Sequence, residues 1–257
     1  MSNQKTPPTP SRGTRREELR RQQEAASARA GRLARATWIV GLAVIAVMAG
    51  IMVWAFTRPA DPGAAAPGAL VAPAGATDAG AVVVGQESAP VTVTIYADFM
   101  CPYCGQFERA NGGDLAAAVS AGTAKLELHA MSFLDNASSG TRYSTRAANA
   151  FATVANADPA AAMAFYRLLF EQQPAENTPG LTDAQLTDLA RQAGATEAVT
   201  ASFAKGTYQP WIAQVTQKAW DSGVKGTPTV LINGQTFTGD PYTAGPLAAA
   251  IAQAAGA

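Results

Sequence analysis

The sequence predicts an α/β domain, a mixed sheet covered by helices and preceded by a single transmembrane helix. Three observations predict it. Residues 37–56 carry no charge. From residue 81 onward, β-branched runs alternate with helix-length segments in the order strand, helix, strand, several helices, helix, hairpin, helix. Between the two regions lies an Ala-, Pro- and Gly-rich stretch, 57–80, with no amphipathic period. Strands and helices mixed in that order bury a sheet under helices on both faces.

The chain of 257 residues has 19 basic and 19 acidic side chains, a net charge of zero. That balance hides an asymmetry. Residues 1–36 hold nine basic and three acidic groups, a net of +6, while residues 57–257 hold ten and sixteen, a net of −6. The long acidic part would repel phosphate, which argues against a folded nucleic-acid-binding domain. Two cysteines exclude a disulfide-stapled scaffold, and one histidine, His129, excludes chemistry that needs two.

Residues 1–13 are rich in Pro, Ser and Thr and cannot bury enough apolar surface to fold. Residues 14–36 have helix-favouring Arg, Glu, Gln and Ala and read as a solvated helix. Together, 1–36 form a basic tail. Residues 37–56 (TWIVGLAVIAVMAGIMVWAF) would span about 30 Å as a helix, the hydrocarbon thickness of a bilayer. Trp38 and Trp54 lie near its ends, where indoles favour the interface. A cleaved signal peptide fits less well, because the apolar run is long and its charged leader extends to residue 36. The positive-inside rule places 1–36 in the cytoplasm and 57–257 outside, as a single-pass membrane protein. Residues 57–80 are a tether, partly stiffened by proline.

In the domain 81–257, Val82–Val84 is a short β run and Val91–Tyr96 a buried strand. A helix follows Cys101 and runs to about 120. Lys125–Phe133 alternates as a second strand. A helical insertion, about 138–200, holds helices near 141–156, 159–172 and 182–194, with starts at Asp158-Pro159 and Thr182-Asp183. Pro210–Ser222 is a helix with Trp211 and Val215 on its apolar face, and Trp220 is read as a packing residue. Thr229–Ile232 and Gln235–Thr238 are strands joined at the Asn233-Gly234 turn. Leu247–Ala254 is the closing helix.

The chemistry centres on Cys101-Pro102-Tyr103-Cys104. Cys101 falls where a strand ends and a helix begins. Its sulfur there meets unpaired backbone N–H groups at the positive end of the helix, which favour thiolate over thiol. Pro102 suits the first helical position, having no N–H to leave unsatisfied. The spacing returns Cys104 to the same side one turn later, within reach of a mixed disulfide on Cys101. Zinc would need about four ligands, more than two cysteines and one histidine supply, so no metal is expected. A structural disulfide across so short a loop would add little stability.

A second signal is Gly226-Thr227-Pro228-Thr229-Val230. Proline at a strand entrance cannot donate to the ladder. A cis Thr227–Pro228 bond would turn the chain sharply and leave the Thr227 backbone free to pair with an extended segment. From the motif alone, an ordinary trans, strand-edge proline is the more common reading.

Asp98-Phe99-Met100-Cys101-Pro102-Tyr103-Cys104-Gly105, then Val224-Lys225-Gly226-Thr227-Pro228-Thr229 and Ile232-Asn233-Gly234, resemble the DsbA-like branch of the thioredoxin superfamily. The resemblance covers roughly 82–257, and the membrane anchor and tether resemble actinobacterial members. It implies a thioredoxin-like fold with a helical insertion. It implies Cys101 as the exposed nucleophile, Cys104 as its shielded partner and Pro228 as a cis-proline facing them. Thr227, Pro102 and Tyr103 are the expected substrate contacts. Well-known members carry a buried acid six residues before the first cysteine, where this chain has Ile95. Asp98 is the nearest acid for proton transfer to and from Cys104, or it only caps the turn. His129 is read as a packed or surface histidine, and Arg109 as a solvated helix residue.

The expected protein is an extracytoplasmic thiol:disulfide oxidoreductase with no cofactor beyond a redox-active Cys101–Cys104 disulfide. Its expected partners are exported cysteine-containing proteins and a membrane quinone-linked enzyme that reoxidises it. A monomer is expected. The expected direction is oxidation, with the Cys101–Cys104 disulfide donated to exported proteins. The alternative is a reductase or isomerase of the same fold, since Cys-Pro-Tyr-Cys also occurs in reducing members and Thr227 before the proline resembles isomerases and reductases. The rival from another class is a non-catalytic tethered binding domain, against which the retention of both cysteines argues. The full-length protein should fractionate with membranes, and a chain starting near residue 80 should be soluble and folded. Recovery from the medium of a mature chain beginning after residue 56 would replace the anchor with a cleaved signal.

Overall fold

The computed structural model describes residues 70–256. The run 37–56 lies outside the described residues, and among the described residues no helix is long and apolar enough to cross a membrane. Five strands form one mixed sheet in the order β1-β3-β2-β4-β5. They are β1 Val82–Val84, β2 Val91–Ala97, β3 Ala124–Ala130, β4 Thr229–Ile232 and β5 Gln235–Thr236. β2 and β3 are parallel, joined by helix α1, Pro102–Ser120; β1 pairs antiparallel with β3, β4 with β2, and β5 with β4.

The alternation of β2 sorts its side chains between two faces. Val91, Val93 and Ile95 share one face with Leu126 and Leu128 of β3, and all five are buried. Thr92, Thr94 and Tyr96 share the other with Lys125, Glu127 and His129. That second face is only partly covered, and Thr94 Oγ1 donates to Glu127 Oε2 there at 3.2 Å.

The insertion between β3 and the later helix contains α2 Tyr143–Ala157, α3 Pro159–Glu171, α4 Asp183–Gln192 and the short α5 Glu197–Ala201. α2 is its centre. Its small residues (Ser144, Ala147, Ala148, Ala150, Ala152) are buried on nearly all sides, letting neighbouring helices approach closely. Both expected starts are capped: Asp158 accepts from Ala160 N and Ala161 N, and Thr182 forms a capping box with Gln185. α6, Gln209–Asp221, packs on α2 and β3; α7, Pro246–Ala254, packs on α1, β2 and β4.

Several expectations shift. β3 ends at Ala130, not Phe133, because β2 beside it turns away at Asp98; Met131 N makes a last bond to Ala97 O at 2.8 Å. β5 ends at Thr236, not Thr238, although Phe237 N still donates to Val230 O of β4 at 2.9 Å. Trp211 is buried, but Trp220, expected to pack, is 58% exposed at the end of α6 and meets Phe133 edge-on at 5.7 Å. α5 was not legible at all. Residues 73–80, read as tether, dock on the domain: Ala74 N donates to Asn156 Oδ1 at 2.8 Å, and Gly80 is buried against Val215.

Gly180 shows how tightly the insertion closes. Its φ is +72°, and an added Cβ would collide with the fully buried ring of Tyr143. Gly180→Ala is therefore expected to destabilise the domain by more than about 1 kcal/mol, from backbone strain plus overpacking. Urea unfolding with an unchanged slope and a lowered midpoint would show it.

Candidate active site

The site forms where β2 ends. Asp98 is completely buried and ties three segments together: Oδ1 accepts from Met100 N (2.8 Å) and Ser144 Oγ (2.7 Å), and Oδ2 accepts from Leu134 N (2.9 Å). Its carbonyl accepts from Cys101 N at 3.0 Å, closing the turn that delivers Cys101 to the start of α1. Cys101 is the N-cap with extended backbone, and Pro102 occupies the first helical turn. Cys104 follows one turn later, with Cys104 N donating to Cys101 O at 3.0 Å.

Two residues that the sequence did not single out hold this loop. Gln173, just after α3, donates through Nε2 to Cys101 O at 2.8 Å and to Phe99 O at 3.2 Å. Gly105 makes that reach possible, since a Cβ there would overlap the Gln173 amide. Ser144 of α2 is the other, through its bond to Asp98. A Gln in a loop and a Ser in a helix carry no local signal for such roles.

From the other side comes the segment before β4. The Thr227–Pro228 bond is cis, as the family resemblance implies. Cys101 Sγ donates to Thr227 O at 3.2 Å, across 126 positions of sequence. Both cysteines are free thiols. Cys101, expected to be exposed, is in fact buried at 5%, against 1% for Cys104. The Thr227 carbonyl, just before the cis-proline, meets its sulfur on one side. Pro102 and Tyr103 are exposed, and the Tyr103 ring lies 5.9 Å from that of Tyr242, in the loop after β5, which sequence reasoning missed.

The two thiols are electrostatically unlike. Cys101 is lowered to about 6, first by the hydrogen bond that Cys104 offers its thiolate, then by the Thr227 side chain and the backbone N–H groups of Cys104 and Tyr103; partial burial opposes them. Cys104 is pushed well above its ordinary range by burial, and further by its role as donor to Cys101 and by the charge there. Burial raises Asp98 to about 7 despite its three hydrogen bonds. Asp98 thus serves as the turn's cross-tie, and its carboxyl oxygens are taken up by the backbone and Ser144.

His129 and Arg109 are not brought into this group. His129 is packed, not at the surface: its ring stacks on Tyr96 at 4.1 Å, and burial lowers it to about 4, so it is neutral near pH 7. Arg109 is exposed on α1. Among the described residues no three His, Cys, Asp or Glu side chains converge as metal ligands.

A low-pKa thiol beside a shielded one, donating to the Thr227 carbonyl that precedes a cis-proline, is an arrangement for thiol–disulfide exchange. The sequence profile of the Thioredoxin family matches residues 77–252. The fold is similar to the disulfide bond oxidoreductase DsbG of Mycobacterium tuberculosis, at 32% identity and a TM-score of 0.61, over 71% of this chain and 90% of that one. It is also similar to DsbA of the same organism, at 31% identity and a TM-score of 0.60, over 69% of this chain and 93% of that one. A stretch of 118 residues is 40% identical to part of the serine/threonine-protein kinase PknE of M. tuberculosis, covering 44% of this chain. The match spans 21% of that kinase's length. The chain therefore belongs to the thioredoxin family. Within it, this is a protein thiol:disulfide oxidoreductase of the DsbA-like kind.

The reduced protein should titrate its first thiolate near pH 6, read by ultraviolet thiolate absorbance. Cys104→Ala, which removes the strongest hydrogen bond to that thiolate, should move the midpoint up toward the ordinary cysteine value of about 8.5. A depressed acid stabilises the folded state above its unfolded pKa and loses that contribution as pH falls through the folded one. The reduced form should therefore gain stability relative to the oxidised form as pH rises from about 6 to about 8.5.

Proposed function

We propose that the protein is an extracytoplasmic disulfide donor, anchored in the membrane by residues 37–56 and acting on exported cysteine-containing proteins. A substrate thiolate attacks Cys101 Sγ, the Sγ–Sγ bond breaks, and Cys104 leaves with the electron pair. A second substrate thiolate then attacks the substrate sulfur of the mixed disulfide. Cys101 departs as thiolate, and the substrate holds the new disulfide. The protein is left with two reduced cysteines. A membrane quinone-linked enzyme takes up those two electrons, so no bound cofactor is needed. The protein works as a monomer, with Thr227, Pro102 and Tyr103 meeting the substrate.

One observation carries this reading: Cys101 is held near 6 while Cys104 stays far above. A stabilised thiolate makes Cys101 a good leaving group and favours the reduced form, which is what makes a disulfide oxidising. The extracytoplasmic placement rests on the uncharged run 37–56 and the basic tail before it. The second reading, a reductase or isomerase, is favoured by Thr227 before Pro228.

The equilibrium potential against glutathione separates the two. A value toward about −120 mV supports the donor; one toward about −270 mV makes the protein a reductase. Cys104→Ser should trap mixed disulfides with exported proteins, and Cys101→Ser should trap none.

A further inference from the structure

The chain between β5 and α7 is fixed at both ends and again in its middle. At its start, Phe237 N donates to Val230 O of β4 at 2.9 Å. At its end, Gly245 with φ +104° opens α7. The middle is held by the CxxC helix. Asn111 Nδ2 donates to Pro241 O at 2.8 Å, across 130 positions of sequence, and to Phe107 O of its own helix at 3.0 Å. Asn111 is buried, and its Oδ1 has no hydrogen-bond partner. A buried amide with one unsatisfied end costs stability and calls for an explanation. Its bond to the loop supplies one.

The loop tip is folded by Asp240, whose Oδ1 accepts from Tyr242 N at 2.9 Å and whose Oδ2 accepts from Thr243 Oγ1. Tyr242 is the residue next to the one that Asn111 holds. Its ring lies 5.9 Å from that of Tyr103 at an angle of 45°, so the two rings form an open V. Both stay largely in solvent, Tyr103 at 56% and Tyr242 at 42% exposure. Beyond them, Gln106 and Ala110 follow Tyr103 on the same stripe of α1. With Arg109, Tyr242, Thr243 and Ala244 they line an open groove of about 500 Å³.

The reaction itself says what meets this surface. A substrate cysteine becomes bonded to Cys101, so the residues flanking it are carried onto whatever surrounds the CxxC. Tyr103 stands between the two cysteines, and Tyr242 is its neighbour. Two tilted rings in water offer faces and edges to a third ring, the geometry that aromatic clusters prefer.

We propose that Tyr242 is a specificity-determining residue, which with Tyr103 selects polypeptide substrates carrying an aromatic side chain close to the reactive cysteine, and that Asn111 is the positioning residue that holds it there. The inference rests on the exchange reaction described above and adds a substrate preference to it. Asn111 touches neither sulfur nor substrate; it acts through Pro241 on the place of the Tyr242 ring.

The test uses the oxidised full-length protein in detergent and two synthetic peptides, each with a pair of cysteines. They differ only in having Phe or Ala beside the first cysteine. Dithiothreitol, a dithiol with no flanking residues, is the third reductant. Acid quenching, alkylation of free thiols and mass spectrometry count the reduced protein at successive times. The readout is the ratio of the Phe-peptide rate to the Ala-peptide rate within each variant, so a general loss of fold or reactivity cancels. In the wild type this ratio should be about two- to tenfold, the range of one added aromatic pair. Tyr242→Ala should bring it to about one, and Tyr242→Phe, which keeps the ring, should preserve it. Asn111→Leu, similar in volume but unable to donate, should lower it toward one. Tyr242 is on the surface, so its variants test the platform even where loss of Asn111 unfolds the domain. Equal rates for the two peptides in the wild type overturn the preference, and a ratio that survives Tyr242→Ala overturns the role of Tyr242. A ratio that survives in folded Asn111→Leu overturns the role of Asn111. Failure of dithiothreitol to open the Cys101–Cys104 disulfide in the wild type would instead overturn the exchange reading, and the preference with it.

Discussion

A negative charge on one sulfur must be stable while a second sulfur, one helical turn away, stays neutral. The surroundings of Cys101 and Cys104 meet that requirement by unequal burial and unequal hydrogen bonding. Cys101 sits at the start of α1 with N–H groups of Tyr103 and Cys104 available to its thiolate, and with the Cys104 thiol as its strongest donor. Cys104 is deeper, where desolvation outweighs every favourable contact. Each thiol's state reinforces the other's: a neutral Cys104 can donate to Cys101, and a charged Cys101 discourages ionisation of Cys104.

Keeping this asymmetry requires the CxxC loop to be held from several directions. The sheet supplies the position, through the end of β2 and the entry of β4. The insertion supplies the grip, with Ser144 of α2 on the Asp98 carboxyl and Gln173 after α3 on the Cys101 carbonyl. The helices between β3 and α6 thus also position the reactive loop. Ser144 lies on a helix and Gln173 directly after one, so the loop is tied to the packed insertion.

The same insertion brings polar groups into the apolar interior near the site. Tyr166 lies within an aromatic cluster of Phe99, Phe151 and Phe170, and Glu108 is buried on α1; neither the Tyr166 hydroxyl nor the Glu108 carboxyl has a hydrogen-bond partner. Burial of unsatisfied groups costs stability. By contrast, His129 is pressed against Tyr96 and kept neutral, on the partly covered face of the sheet.

Local chemistry made much of this legible in the sequence. The β-branched run of β2, the CxxC at a strand-to-helix junction, Pro102 in the first turn and the caps at Asp158 and Thr182 are all short-range signals. Each depends on neighbours within a few residues. Tertiary structure decided what depends on distant partners. Thr227 meets Cys101 across 126 positions, Gln173 reaches it across 72 and Ser144 meets Asp98 across 46. The end of β3 was set by where its partner strand stops, and Cys101 meets a segment that arrives from beyond the insertion. Glu108 reads in sequence as an ordinary helix acid. Only the packing of α3 against α1 strips it of water and of hydrogen-bond partners, because desolvation depends on everything that surrounds a group and not on its neighbours along the chain.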